Sequence, residues 1–143
     1  MDENLKREIM LENYMHPFNK EQVNDDSYIK VNTNNESCID NIDLYLKVEE
    51  NKIVDLKFMG EACAISTSST SIMIHNLIGK TVEEAYEYID NFENMVEEKE
   101  YDSDLLNEGI VYNEIYKQNN RKHCALLPYV GIKKALKEYI DKK

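Results

Sequence analysis

Two runs of alternating polarity, Ile42-Asp43-Leu44-Tyr45-Leu46-Lys47-Val48 and Lys52-Ile53-Val54-Asp55-Leu56-Lys57-Phe58-Met59, stand three residues apart and lead straight into Gly60. Successive side chains of a strand point to opposite faces, so a period of two marks a strand with one buried face. Glu49-Glu50-Asn51 is the turn that folds the two runs into an antiparallel hairpin. Ser27 to Val31 reads as a further strand before them, and Asn32-Thr33-Asn34-Asn35 as a loop of turn formers. The expected fold is α+β: a three-stranded antiparallel sheet with helices packed mainly on one face, because an apolar face has to be covered.

The hairpin ends in Gly60-Glu61-Ala62-Cys63-Ala64-Ile65-Ser66, where a strand becomes a helix running from Ser66 to Ile78. Gly60 supplies the positive φ that such a junction often needs. Cys63 sits beside the first backbone N–H groups of that helix, which have no internal partner. Thiols so placed ionise more easily, and the thiolate is both nucleophile and metal ligand. A small buried cysteine at a turn is the plainer reading of this stretch alone. Ser66 to Ser71 looks like a loop of low complexity, but Ile65, Ile72 and Leu77 favour a helix whose small residues allow close packing.

Asp2 to Tyr14 reads as an amphipathic helix with Leu5, Ile9 and Met10 inward, stopped by His16-Pro17. His16 is read as a surface residue at that helix end. Gly79 closes the Ser66–Ile78 helix, and Thr81-Val82-Glu83-Glu84 is a capping box opening a helix to about Asn94. Gly79-Lys80-Thr81 is not a nucleotide-binding loop, because the required glycine five positions earlier is Ile74. Met95 to Asn120 should hold one or two short helices with Ile110, Val111 and Ile115 inward. A last helix is expected from about Pro128 to Ile140, with Ile132, Leu136 and Ile140 inward.

At 143 residues the chain has the length of one domain, 1–143. Its formal net charge of −11 would repel a phosphate backbone, which argues against nucleic-acid binding. The acid gathers between Glu83 and Glu114 as a solvated face able to steer a basic protein partner. No apolar run follows Lys6-Arg7, and no stretch is long enough to span a membrane. Three cysteines make an odd count, so reduced thiols in the cytoplasm fit better than a disulfide framework. In that compartment the Asn35-Glu36-Ser37 sequon has no meaning.

Cys38, Asp40 two positions on, Cys63, and Cys124 preceded by His123 form an inventory of metal ligands. Cys38-x-Asp40, Leu44-Tyr45-Leu46, Gly60-Glu61-Ala62-Cys63-Ala64-Ile65-Ser66, Gly79-Lys80 and Cys124-Ala125 occur in that order, after Tyr14-Met15-His16-Pro17-Phe18-Asn19. In this ordered set the chain resembles the iron–sulfur cluster assembly scaffolds of the IscU/SufU type, the group that includes the N-terminal part of NifU. Cys38 to Cys63 is 25 positions and Cys63 to Cys124 is 61, and the long second interval is SufU-like, with a SufU-type insertion at about 95–120.

The resemblance implies that Cys38, Asp40, Cys63 and Cys124 converge on zinc, or on a transient iron–sulfur cluster of two or four irons, for which soft sulfur ligands are suited. It implies a cysteine desulfurase of the SufS kind as sulfur donor, and downstream cluster carriers or apo-proteins as recipients. Cys38 is the expected sulfur acceptor and Cys124 the alternative. IscU-type members carry His before the third cysteine, while SufU-type members usually carry Lys there and Arg three residues before the cysteine. His123 and Arg121 mix these patterns, and Arg121 could lower a neighbouring thiol's pKa. Two positions depart from the family: Ile39 stands where Gly is usual, and Pro128 follows Cys124 by four residues. Three functions stay open: a cluster scaffold and sulfur acceptor, a zinc-dependent sulfur-transfer protein that activates the desulfurase without holding a cluster, and a structural zinc adaptor.

Overall fold

The structure, a computed structural model, describes residues 1–35 and 39–142. A sheet of order β1-β2-β3 is formed by β1 (Ile29–Asn34), β2 (Asn41–Glu49) and β3 (Lys52–Glu61), with both pairs antiparallel. The hairpin closes through Glu50 and Asn51, both at positive φ (51° and 62°), which matches the twist of two joined strands. Ile42, Leu44 and Leu46 of β2 share the buried face with Ile53, Leu56 and Phe58 of β3. Ile53 and Leu56 are three residues apart and should point opposite ways. Lys47 pairs with Asp55 and Val48 with Ile53, so Val54 is an extra residue in a bulge that restores the parity.

β1 starts later and runs further than its sequence suggests. Asn32 to Asn34 are strand, not loop, and Asn34 pairs with Asn41. Asn32 donates from Nδ2 to Asn41 Oδ1 at 2.6 Å and to Asp43 Oδ1 at 3.0 Å, so the polar run is satisfied across the ladder. On the far edge of the sheet, Lys20 bridges Phe58 in parallel. Asn19, at φ 60°, donates its amide to the Leu56 carbonyl, which fixes the turn after Pro17.

Helices cover the apolar face. α1 spans Glu3–Met15, α2 Ala64–Leu77, α3 Val82–Val96 and α4 Asn119–Asp141. α1 presents Ile9 and Met10 to the core as expected, but Leu5 is 43% exposed and Lys6 is buried instead. The Lys6 ammonium is held by Asn113 Oδ1 at 2.7 Å and Glu3 at 3.2 Å, so its stem packs while its charge is satisfied. α3 begins with the capping box at Thr81 and Glu84. Three short 3₁₀ turns, Ser103–Leu105, Asn107–Tyr112 and Ile115–Lys117, occupy the acidic stretch, with Val111 and Ile115 buried and Ile110 at the margin.

α2 is buried on nearly every side from Ser66 to Ile74. Its hydroxyls have partners on other elements: Ser68 with Tyr112 Oη at 2.6 Å, Ser69 with the Ala125 carbonyl at 2.7 Å, and Ser71 with Asn13 at 2.7 Å. A buried hydroxyl is tolerated when it is so paired.

α4 is the largest departure from the sequence reading. It begins at Asn119 and passes through Pro128 without a break, while Ile140 is 44% exposed. A proline inside a helix removes one N–H and crowds the carbonyl four residues back. Here the Cys124 carbonyl is the one left without its helical N–H, and Ser66 Oγ of α2 lies 3.1 Å from it, while Ser69 donates to the next carbonyl, Ala125 O, at 2.7 Å. Thr33 of β1 donates to Leu127 O at 3.0 Å. One hydroxyl thus lies beside the carbonyl that the proline leaves unserved, two more hold the carbonyls around it, and a start signal at Pro128 is not needed.

α4 lies directly on β1 and β2 at Gly131. A Cβ there would come within 2.8 Å of Leu44 Cδ1 and 2.9 Å of Thr33 Cγ2. Gly131→Ala should therefore destabilise the fold by about 1–2 kcal/mol, although alanine is the better helix former by about 1 kcal/mol. Urea denaturation checks this; an unchanged or higher midpoint would mean that α4 does not press on the sheet there.

Candidate metal centre

The site begins with the end of the sheet. Gly60 has φ 131°, and a Cβ on it would lie 2.1 Å from the Asn41 carbonyl oxygen. Only glycine allows the two chains to approach so closely. The approach sets Asp40, just before β2, against Cys63, just after β3. The Cys63 N–H donates to Asp40 Oδ1 at 2.7 Å, and Asp40 is 1% exposed.

Cys63 is the N-cap of α2, with extended backbone and its sulfur accepting from the Ser66 N–H at 3.5 Å. The sulfur takes the place that a serine or aspartate oxygen usually holds at a helix start. Its thiol lies 3.6 Å from Asp40 Oδ2 and is only half-buried. α4 supplies Cys124, which is 5% exposed and donates to the Asn120 carbonyl at 3.6 Å.

One ligand atom each from Asp40, Cys63 and Cys124 lie within 4.8 Å of one another. Zinc–sulfur bonds of about 2.3 Å at tetrahedral angles put neighbouring ligand atoms roughly 3.5–3.8 Å apart. The Cys63–Asp40 pair already has that spacing. The donor set fits zinc or iron, with two soft sulfurs and one exchangeable carboxylate oxygen. Cys38, the fourth expected ligand, lies outside the described residues.

Burial pushes the Cys124 thiol up to about 12, and the neighbouring Cys63 and Asp40 add to the effect through a hydrogen bond and negative charge. Metal binding would have to release this proton. The unfolded thiol loses its proton near 8.5. Above that pH the unfolded chain binds fewer protons than the folded one, so folding stability falls as pH rises from about 9 toward 12. The urea midpoint of metal-free protein should decline across the alkaline half of that window, and more steeply than in Cys124→Ser. Parallel declines would refute it.

Arg121 and His123 are exposed, and neither side chain has a hydrogen bond or ion pair among the described residues. The Cys124 thiol beside them is raised, not lowered. Ser66 is a site residue to which sequence reasoning gave no role. Its Oγ lies 2.5 Å from Asp40 Oδ2 and 3.1 Å from the Cys124 carbonyl. The available signal was its place three residues after a helix-capping Cys63, the position that faces back to the cap.

These features define an α+β fold with a centre lined by thiols and a carboxylate, drawn from a strand end and two helices. The chain belongs to the NifU-like N terminal domain family, which it matches over residues 5–143. It is 36% identical over 114 residues to the iron–sulfur cluster assembly scaffold protein IscU of Thermotoga maritima, covering 80% of each chain. It is 34% identical over 133 residues to the zinc-dependent sulfurtransferase SufU of Bacillus subtilis, covering 92% of this chain and 89% of that one. Its fold is similar to the crystal structure of a candidate SUF-system assembly scaffold from Fervidobacterium islandicum AW-1. The TM-score is 0.87 at 33% identity, over 94% of this chain and 99% of that chain. No helix among the described residues is long and apolar enough to cross a membrane.

Proposed function

We propose that this chain is a scaffold and sulfur acceptor in iron–sulfur cluster assembly, receiving sulfur from a cysteine desulfurase at a centre made by Cys38, Asp40, Cys63 and Cys124. The observation that carries this reading is the convergence of Asp40, Cys63 and Cys124 to within 4.8 Å in a chain of this family. Zinc fits the donor set as a resident metal, and an iron–sulfur cluster would be the cargo assembled there.

Sulfur arrives as the outer atom of a persulfide on the desulfurase. An acceptor thiolate attacks that atom, a new sulfur–sulfur bond forms, and the donor cysteine leaves as a thiolate. The exchange consumes no oxidant. Cys38 is the acceptor in this proposal. Cys124 is buried with its proton held, which disfavours it as the attacking thiolate. Cys63 is tied into the first turn of α2 as its cap. Arg121 and His123, exposed ahead of Cys124 on α4, would meet the partner and not the sulfurs.

A second reading, a zinc-dependent sulfur-transfer protein that holds no cluster, is favoured by the likeness to the SufU protein over 92% of this chain, the 95–120 stretch included in the proposal as a SufU-type insertion. Both readings place the work in a reducing cytoplasm with a SufS-like donor, and the first adds carriers or apo-proteins as recipients. Single turnover with a cysteine desulfurase and labelled cysteine, followed by peptide mapping, should place the label on the Cys38 peptide. Label on the Cys124 peptide that persists in Cys38→Ser would overturn the assignment. Visible absorption after anaerobic addition of iron and sulfide separates the readings, since only a scaffold gains it.

A further inference from the structure

Ser66 has one hydroxyl proton and two places to put it. It is fully buried on the first turn of α2. Its Oγ is 2.5 Å from Asp40 Oδ2 and 3.1 Å from the Cys124 carbonyl oxygen, and it accepts from the Cys63 thiol at 3.5 Å. A hydroxyl donates once, so the carboxylate and the carbonyl compete for it. The carbonyl is a real competitor because of Pro128. The N–H that would serve Cys124 O in a helix belongs to residue 128, and proline has none. The carboxylate is the stronger acceptor, since a charged partner roughly doubles a hydrogen bond.

We propose that Ser66 is a positioning residue that sets how readily Asp40 leaves the metal. The inference rests on the reading of this cluster as a metal centre. Asp40 Oδ1 accepts from the Cys63 N–H, and Oδ2 lies 3.6 Å from Cys63 Sγ, on the side of the sulfur. With Asp40 off the metal, the Ser66 proton rests on Oδ2. With Oδ2 on a metal, the hydroxyl would turn to the Cys124 carbonyl that Pro128 keeps available. Apart from the metal–oxygen bond itself, ligand exchange at Asp40 would then need only a hydroxyl rotation inside a packed core, and the ligand-off state would hold the stronger of the two hydrogen bonds. Ser66 and Pro128 act in opposite senses: the serine favours release and the proline, by keeping the second acceptor open, favours retention.

The test is zinc transfer to an excess of chromophoric chelator, alongside the cobalt(II) absorption spectrum to report the thiolates. Ser66→Ala removes the donor that favours the ligand-off state and should release zinc about three- to tenfold more slowly. Pro128→Ala gives the Cys124 carbonyl its helical N–H and should speed release about twofold or more. A serine that merely supports packing predicts the reverse for Ser66→Ala, because loosening ligands usually weakens metal binding. In an Asp40→Ala background the Ser66→Ala change should have no effect beyond about twofold, the ordinary error of additivity. Faster or unchanged release from Ser66→Ala, unchanged or slower release from Pro128→Ala, or an undiminished Ser66→Ala effect without Asp40 would each overturn the assignment. If circular dichroism shows that Ser66→Ala does not fold, Pro128→Ala decides alone. A wild type that takes up no zinc overturns the metal centre and this inference together; a zinc-binding wild type with the wrong variant order overturns only the inference.

Discussion

Cys63→Ser and Cys124→Ser should each lower bound zinc in protein purified in air from about one per chain to under about a tenth. Serine keeps the size and the hydrogen-bonding role. A hydroxyl in place of the Cys63 thiol would still cap α2, and one in place of the Cys124 thiol would still donate to the Asn120 carbonyl. What is lost is the thiolate, because a hydroxyl does not ionise at neutral pH and is a poor ligand for a soft-accepting metal. The variants therefore separate ligation from packing. Stability should follow the metal: a ligand present at 1,000 times its dissociation constant stabilises the fold by about 4 kcal/mol, and that contribution disappears with the site. Elemental analysis and thermal melting with and without chelator check both parts. Variants that keep one zinc per chain and respond to chelator as the wild type does would place the metal elsewhere.

Gly60→Ala should cost at least about 3 kcal/mol or prevent folding, the largest effect expected of any one-methyl change in the chain. The added carbon would lie 2.1 Å from the Asn41 carbonyl oxygen and 3.1 Å from Ile42 Cα, both backbone atoms that cannot swing aside. Gly79 supplies an internal control. It also has positive φ, 93°, but nothing lies within 4 Å of its missing Cβ. Gly79→Ala should therefore cost only the conformational strain, about 1–2 kcal/mol. Urea denaturation of the two variants compares contact with strain directly. Equal costs would show that the approach of β3 to Asn41 relaxes, and with it the juxtaposition of Asp40 and Cys63.

The hairpin, its turn and the capping box were legible because their signals are local: a period of two, a turn of the right length, a threonine three residues before a glutamate. The strand-to-helix junction was legible for the same reason, and Gly60 fell where a positive φ was needed. Misreadings arose where a neighbour far along the chain decides the outcome. Asn32 to Asn34 have loop composition, but Asn41 and Asp43 across the ladder satisfy them. Lys6 is buried in place of Leu5 because Asn113 waits for its ammonium group. Pro128 ends no helix because Ser66 lies beside the one carbonyl it leaves unserved and Ser69 and Thr33 hold the neighbouring carbonyls from other elements. For the site, cysteine and aspartate identity carried the chemistry, and Asp40, Cys63 and Cys124 do meet. The depth of Cys124 and the role of Ser66 could not be read, since both depend on how α4 docks on α2.

Asp40, Cys63 and Cys124 are synthesised far apart in time as well as in sequence. Asp40 and Cys63 flank a hairpin and can come together as soon as that hairpin and the start of α2 have formed. Cys124 lies on α4, 61 positions after Cys63, and arrives only when that intervening stretch has been made. A nascent chain, folding from its N-terminus as it emerges, thus holds an incomplete set of ligands until α4 has emerged. During that interval Cys63 and Asp40 lack the sulfur of Cys124, and the half-formed centre is open to stray oxidants and to loosely held metal. Docking of α4 brings that sulfur and covers the site in one event, so a firm grip on a metal comes only with the packing of α4 on α2.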